Sequence, residues 1–162
     1  MIEVAVLPRT TFQRESVAAV WDEALPLMLV NHAETGALAG CEFDPDREKF
    51  EKLDELGMIR VFTARIDGGL VGYAAFIIGP HLHYRDTVWA IQDVVFLVPA
   101  HRGRAAIRFL RWQDDELACA GVDLVYRHVT VRNAWGRTLI RMGYHAEAQR
   151  FVRDLRLTRR AS

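Results

Sequence analysis

The sequence predicts an α/β (α+β) fold with a mixed central β-sheet flanked by helices. Three observations lead there. An apolar run, "VWAIQDVVFLV", is followed by a helical pattern and then by a second apolar run, "VDLVYRHVTV", and a strand–helix–strand crossover of this kind makes a parallel pair. Asp67-Gly68-Gly69 joins two further strand patterns as a hairpin, which is antiparallel. The N-terminal part repeats its apolar residues at the helical period. With 162 residues, 51% of them hydrophobic, residues 1–162 form one predicted domain whose core needs no disulfide or metal staple.

Taken in order, Ser16 to Glu34 reads as helix from the spacing of Val17, Val20, Trp21, Ala24, Leu25, Met28 and Leu29, with a kink or break expected at Pro26. "TGALAGCEFDP" reads as a loop. Asp44 then Pro45 reads as N-cap and first position of a second helix that Gly57 stops. Ile59 to Ile66 and Leu70 to Ile78 are the hairpin strands, and "GPHLHYRDT" is a loop. Val88 to Val98 is apolar on both faces apart from Gln92 and Asp93, as a central strand is. A helix from Arg104 to Ala120 ends at Gly121. Leu124 to Val131 is a strand, Asn133 caps a short helix that Gly143 ends, and "YHAEAQRFVRDLRL" reads as a final strand.

Charge excludes some function classes. Lys plus Arg equals Asp plus Glu at 21 each, so the chain is not a generally basic nucleic-acid binder. Its positive charge is local: Arg102, Arg104, Arg108, Arg111, Arg127, Arg132, Arg137 and Arg141. Cys41 and Cys119 lie in no CxxC pair and at no metal spacing, and they read as buried free thiols of a reducing compartment. No signal peptide or bilayer-spanning run is visible, so the expected setting is cytoplasmic, with no membrane partner. "HLH" has no third ligand nearby, and no metal is expected.

"VVFLVPAHRGRAAIRFL" raises the functional question. A strand stops at Pro99 and the next helix opens on Arg102-Gly103-Arg104. Helix N-termini present unpaired N–H groups and partial positive charge, and Gly103, Ala105 and Ala106 let an anion come close to the backbone. Arginine is disfavoured at that end of a helix unless an anion arrives, although a solvated arginine-rich first turn is the plainer alternative. The Walker pattern GxxxxGK[ST] and the dinucleotide pattern GxGxxG are both absent.

A strand ending in V-x-P-x-x-R-G-x-[G/A], then helix, strand and N-x-x-G/A…G-Y/F, resembles the GCN5-related N-acetyltransferases over about Leu53–Leu155. Within that superfamily the segments "RVFTARIDGGLVGYAAFIIGPHLHY", "WAIQDVVFLVPAHRG" and "LIRMGY" resemble the small acetyltransferase-like proteins of phages and prophages. The resemblance implies acetyl-CoA as co-substrate and direct transfer to an amine of a small molecule or peptide. It places the pantetheine arm in a gap between Ile91–Val98 and Leu124–Val131, pairing with the main chain near Phe96, Leu97 and Val98. The pyrophosphate would rest on the backbone of Arg102, Gly103, Arg104, Ala105, Ala106 and Ile107, with Asn133 and Arg137 near the cofactor. Three positions depart from the pattern: Ala105 stands at the loop's first small position, where the family has glycine, Ile107 stands at its second, and Leu139 stands where many members carry a tyrosine used as general acid.

Acetyl transfer needs a base for the amine, and no nucleophile for a covalent intermediate is evident. Asp93, a carboxylate inside an apolar strand, is the first candidate. Burial would raise its pKa, and the alternative is a structural carboxylate held by a loop or an arginine. His128, mid-strand, is the second candidate, with a structural histidine as its alternative. Tyr84 is the candidate replacement acid. His32, His81 and His83, with Glu34, are candidates to border the acceptor pocket, and Tyr144 reads as core. Two other function classes stay open: a non-catalytic acyl-CoA-binding or phage–host interaction protein on the same fold, and an arginine-patch nucleic-acid contact with steep salt dependence. A homodimer through the final strand is a further expectation.

Overall fold

The computed structural model describes residues 9–35, 41–130, 135–153 and 155. Its sheet has five strands in the order β1-β2-β3-β4-β5: Thr11–Glu15, Ile59–Ile66, Gly69–Pro80, Val88–Leu97 and Leu124–Tyr126. The first three pairings are antiparallel and β4–β5 is parallel. Helices α1 (Val17–Thr35) and α2 (Arg47–Glu55) lie against one face, and α3 (Arg104–Cys119) lies against the other. A short helix α4 spans Gly136–Arg141.

Strand alternation sorts the core into two layers. Phe62, Ala64, Ala74, Phe76 and Ala90 meet Phe109 and Leu117 of α3. Ile59, Val61 and Ala75 meet Val17, Val20, Trp21 and Ala24, which recur at three and four along α1. Asp67 and Gly68 take φ of 49° and 82°, so the β2–β3 hairpin has both central residues left-handed, as a type I′ turn requires.

The structure departs from the expected elements in several places. Strand β1 was not anticipated: its one inward apolar residue is Phe12, which packs on Phe109 and Trp112, while Glu15 pairs with Arg65. Such a short, polar edge strand has almost no periodic signal. Helix α1 runs unbroken through Pro26, because the carbonyl that proline leaves unpaired belongs to Asp22, an exposed residue that water can satisfy. The N-cap of α2 is Asp46, whose carboxylate accepts from the Lys49 N–H at 3.0 Å, two residues beyond the Asp44 start. Only Leu124–Tyr126 of the predicted fourth strand is ladder-paired, and no strand forms in the described part of the final segment, where 145–153 are all exposed. Cys119 is exposed on α3 instead of buried, while Cys41 is half-buried; both are free.

Gly72 sets how closely β3 approaches the end of β4. A Cβ there would overlap the Leu97 side chain and lie 2.8 Å from the Phe96 carbonyl oxygen. Gly72→Ala is therefore expected to destabilise by about 1–3 kcal/mol, the range for overpacking, and to push back the Phe96–Leu97 end of β4. Chemical denaturation with an unchanged m-value checks it.

Candidate active site

The β4–β5 ladder runs Trp89–Leu124, Ala90–Val125, Ile91–Tyr126 and then stops. From Asp93 onward, the edge of β4 that would face β5 carries no ladder among the described residues. Gln92 spans the opening, its Nε2 donating to the His128 carbonyl at 3.3 Å. On the other edge, Ala75 pairs with Val94 and Phe76 with Gln92, so Asp93 has no partner and forms a β-bulge. Bulges re-aim side chains, and here two consecutive residues, Asp93 and Val94, both reach one cavity.

That cavity, about 170 Å³, lies between α1, the segment leading to α2, and β2–β4. Its walls are mostly apolar. Its polar groups are Asn31, His32, Thr35, Tyr73 and Asp93. Packed protein around Asp93 raises its carboxyl pKa, and the positive charges of His128 and Arg150 only partly offset this. The carboxylate still has an open face to the cleft, so it can exchange protons. Burial pushes His128 down, reinforced by Arg150 and opposed by Asp93, so the uncharged imidazole is favoured. Tyr73 is buried, and burial drives its phenol above the ordinary tyrosine range, against a hydrogen bond with Asn31 and together with the Asp93 charge. Tyr73 was not singled out from sequence, although its place two residues before Ala75 puts it on the α1 face.

The loop after β4 has the expected shape. Pro99–His101 is a single 3₁₀ turn, and Gly103 at φ 90° precedes α3. No side chain caps α3, and its first bond is Ile107 N–H to the Gly103 carbonyl, so the amides of Arg104, Ala105 and Ala106 have no acceptor within the helix. These donors suit a diphosphate, and Ile107 lies just past them. At the strand end, Val98 N–H donates to Val71, which turns Leu97 toward the open edge. The Leu97 carbonyl accepts from Arg102 Nε at 2.7 Å. Arg102 also grips Glu34 at 2.6 Å and lies over the Phe96 ring. Glu34 is thus tied to the loop after β4 through Arg102, whereas His32 lines the cavity and packs on Phe43.

The arginine cluster is divided. Arg104, Arg108, Arg111 and Arg137 are exposed, but Arg127 has no exposed side-chain surface. It pairs with Asp114 at 2.6 Å, donates to Gln92, Gln113, the Leu110 carbonyl and the Tyr144 hydroxyl, and sits over the Phe76 ring. The Tyr144 hydroxyl in turn donates to Asp114; the residue is half-buried rather than part of the core, and burial pushes its phenol up to about 12. Leu139 is buried. Arg132 and Asn133 lie outside the described residues.

His81, His83 and Tyr84 form a separate cluster in the β3–β4 loop. His81 stacks on Tyr84 at 4.5 Å, and its Nδ1 accepts the His83 N–H. That loop enters β4 at Val88, five residues before Asp93, or roughly 17 Å along a strand. None of the three lines the cavity. Among the described residues no group of three His, Cys, Asp or Glu is placed to hold a metal, and no helix is long and apolar enough to cross a membrane.

No protein-family model matches the chain, and no curated protein sequence matches it significantly. Solved structures do match. A ribosomal-protein-alanine N-acetyltransferase from Brucella melitensis biovar Abortus 2308 aligns over 90% of this chain and 99% of its own, at TM-score 0.69 and 18% identity. An aminoglycoside acetyltransferase from an uncultured soil metagenomic sample, in complex with sisomicin, aligns over 90% and 96% at TM-score 0.71 and 12% identity. A predicted acetyltransferase from Clostridium acetobutylicum, with acetyl-CoA, aligns over 91% and 97% at TM-score 0.66 and 11% identity. The mixed five-stranded sheet and the helices on both its faces match the fold of these acetyltransferase structures.

Proposed function

We propose that the protein is an acetyl-CoA-dependent N-acetyltransferase acting by direct attack of a primary amine. The observation that carries this reading is the Asp93 bulge. It puts a carboxylate of raised pKa where the β4–β5 ladder opens, at the wall of a partly open cavity. The open edge of β4 and the uncapped start of α3 are the places for a pantetheine arm and a diphosphate. A thioester carbonyl held along that edge would meet an amine presented from the cavity.

The step balances as follows. Asp93 takes one proton from the substrate ammonium. The freed nitrogen attacks the thioester carbon, the C–N bond forms and the C–S bond breaks. The second nitrogen proton goes to the departing thiolate, directly or through water. An ordinary thiol has a pKa near 8.5, so the thiolate gains its proton at neutral pH without a dedicated acid. Leu139 in place of a tyrosine is compatible with that. His128, uncharged beside Asp93, relays the collected proton to solvent. Tyr73, held protonated, orients groups in the cavity by hydrogen bonding.

A cytoplasmic setting follows from an acetyl-CoA co-substrate. The phage-type subgroup rests on the three sequence segments quoted above and not on the solved relatives. Thermal unfolding with acetyl-CoA tests the co-substrate. At about 100 times its Kd a ligand adds about 2.7 kcal/mol, which raises the melting point by roughly 5–10 °C in a chain of this size. No shift at millimolar acetyl-CoA would contradict the proposal.

A further inference from the structure

We infer that the acceptor is a small apolar monoamine: one primary ammonium on a single ring or short branched alkyl body. The inference rests on the acetyltransferase reading and concerns the same cavity.

Size comes first. A cavity of about 150 Å³ lined by apolar side chains holds one benzene ring, and this one measures about 170 Å³. Val17, Trp21, Met28, Phe43, Val61 and Val94 give it that apolar wall. Charge comes second. Among the described lining residues Asp93 is the one carboxylate, and no lysine or arginine is present. Inside the cavity a further ammonium group of a polyamine or aminoglycoside would lie against Trp21 and Phe43 with no second carboxylate to pair it, and an amino acid's carboxylate would meet no lysine or arginine; both are costly. Of the remaining polar groups, Thr35 Oγ1 donates to the Asn31 carbonyl at 2.9 Å, Asn31 meets the Tyr73 hydroxyl, and His32 packs its ring on Phe43; none is a carboxylate. They bound the cavity without offering a second ionic anchor.

The test uses the full chain and two readouts. Thiol release from acetyl-CoA is followed with phenethylamine, isoamylamine, spermidine and kanamycin. Separately, phenethylamine alone is titrated against the fluorescence of Trp21, with Trp21→Phe as control. The expected result is a kcat/KM for phenethylamine at least about tenfold above those for spermidine and kanamycin. A saturable fluorescence change that Trp21→Phe removes should accompany it. Met28→Trp, which fills the cavity, should cut phenethylamine turnover and leave stabilisation by acetyl-CoA intact. Equal or better turnover of spermidine or kanamycin overturns the inference but leaves the acetyltransferase reading standing. A preference for octanoyl-CoA over acetyl-CoA that Met28→Trp abolishes also overturns it, because the cavity would then hold the acyl chain, and it leaves acyl transfer standing with a longer donor. Absence of both acetyl-CoA stabilisation and thiol release with every amine instead overturns the enzyme reading, and the Trp21 titration still decides whether the cavity takes the apolar amine.

Discussion

Arg127→Met is expected to destabilise the protein by about 3–5 kcal/mol, the range for removing one partner of a buried ion pair. At roughly 2–4 °C per kcal/mol this lowers the melting point by about 6–20 °C. The guanidinium is fully buried and serves five acceptors on three parts of the fold: Gln92 of β4, Leu110, Gln113 and Asp114 of α3, and Tyr144 after α4. Methionine keeps the apolar stem but orphans the Gln92 and Gln113 side-chain oxygens and leaves Asp114 without its cation. Asp114 is partly exposed and can regain water, which places the effect toward the lower end of that range. Asp114→Leu added to Arg127→Met should recover part of the loss, because an apolar pair no longer strands a charge; a double-mutant cycle in denaturant measures the coupling. Activity should fall as well. Gln92 precedes the Asp93 bulge and spans the strand opening, so loosening it misplaces the base.

Asp93→Asn is expected to lower kcat/KM by 10²–10⁴-fold, the usual contribution of a positioned general base. Stability should move the other way. Burial raises the folded-state pKa of Asp93, so the folded protein binds its proton more tightly than the unfolded chain does. The charged carboxylate therefore penalises folding at pH values above its folded pKa. The penalty is relieved as pH falls through that value toward the ordinary carboxylate range. Asparagine cannot ionise, so the variant should melt higher than the parent at neutral pH, with the difference shrinking on acidification. The pH profile gives a third readout: kcat/KM of the parent should fall on the acid side as Asp93 protonates, and this limb should vanish in Asp93→Asn. A purely structural carboxylate would give lower stability on substitution and an unchanged limb.

Much of this was legible in the sequence because it is written in local periodicity. The 3.6-residue spacing of Val17, Val20, Trp21 and Ala24, the Asp67-Gly68 turn and the apolar run into Pro99 each specify their element with little help from the rest of the chain. Asp93 stood out as a charge in an apolar strand, but the bulge that aims it depends on how β3 pairs with β4, a non-local property. The same holds for Arg127: as a letter it joins an arginine-rich patch, and only the packing of β4 against α3 shows it to be buried. The cavity was invisible for a similar reason. Its walls come from α1, the segment before α2 and three strands, and Tyr73 reads there as one more aromatic strand residue. Strand β1 lacked a signal because a polar edge strand is defined by the partner it pairs with.

The most direct measurement is product stoichiometry with purified protein, acetyl-CoA and phenethylamine, repeated with Asp93→Asn. Free thiol and N-acetylated amine should appear in equal amounts, with Asp93→Asn slower by at least about 100-fold. Stabilisation by acetyl-CoA with no thiol released in the presence of any primary amine would contradict catalysis at Asp93, and would mark the protein as a non-catalytic acyl-CoA binder on an acetyltransferase fold.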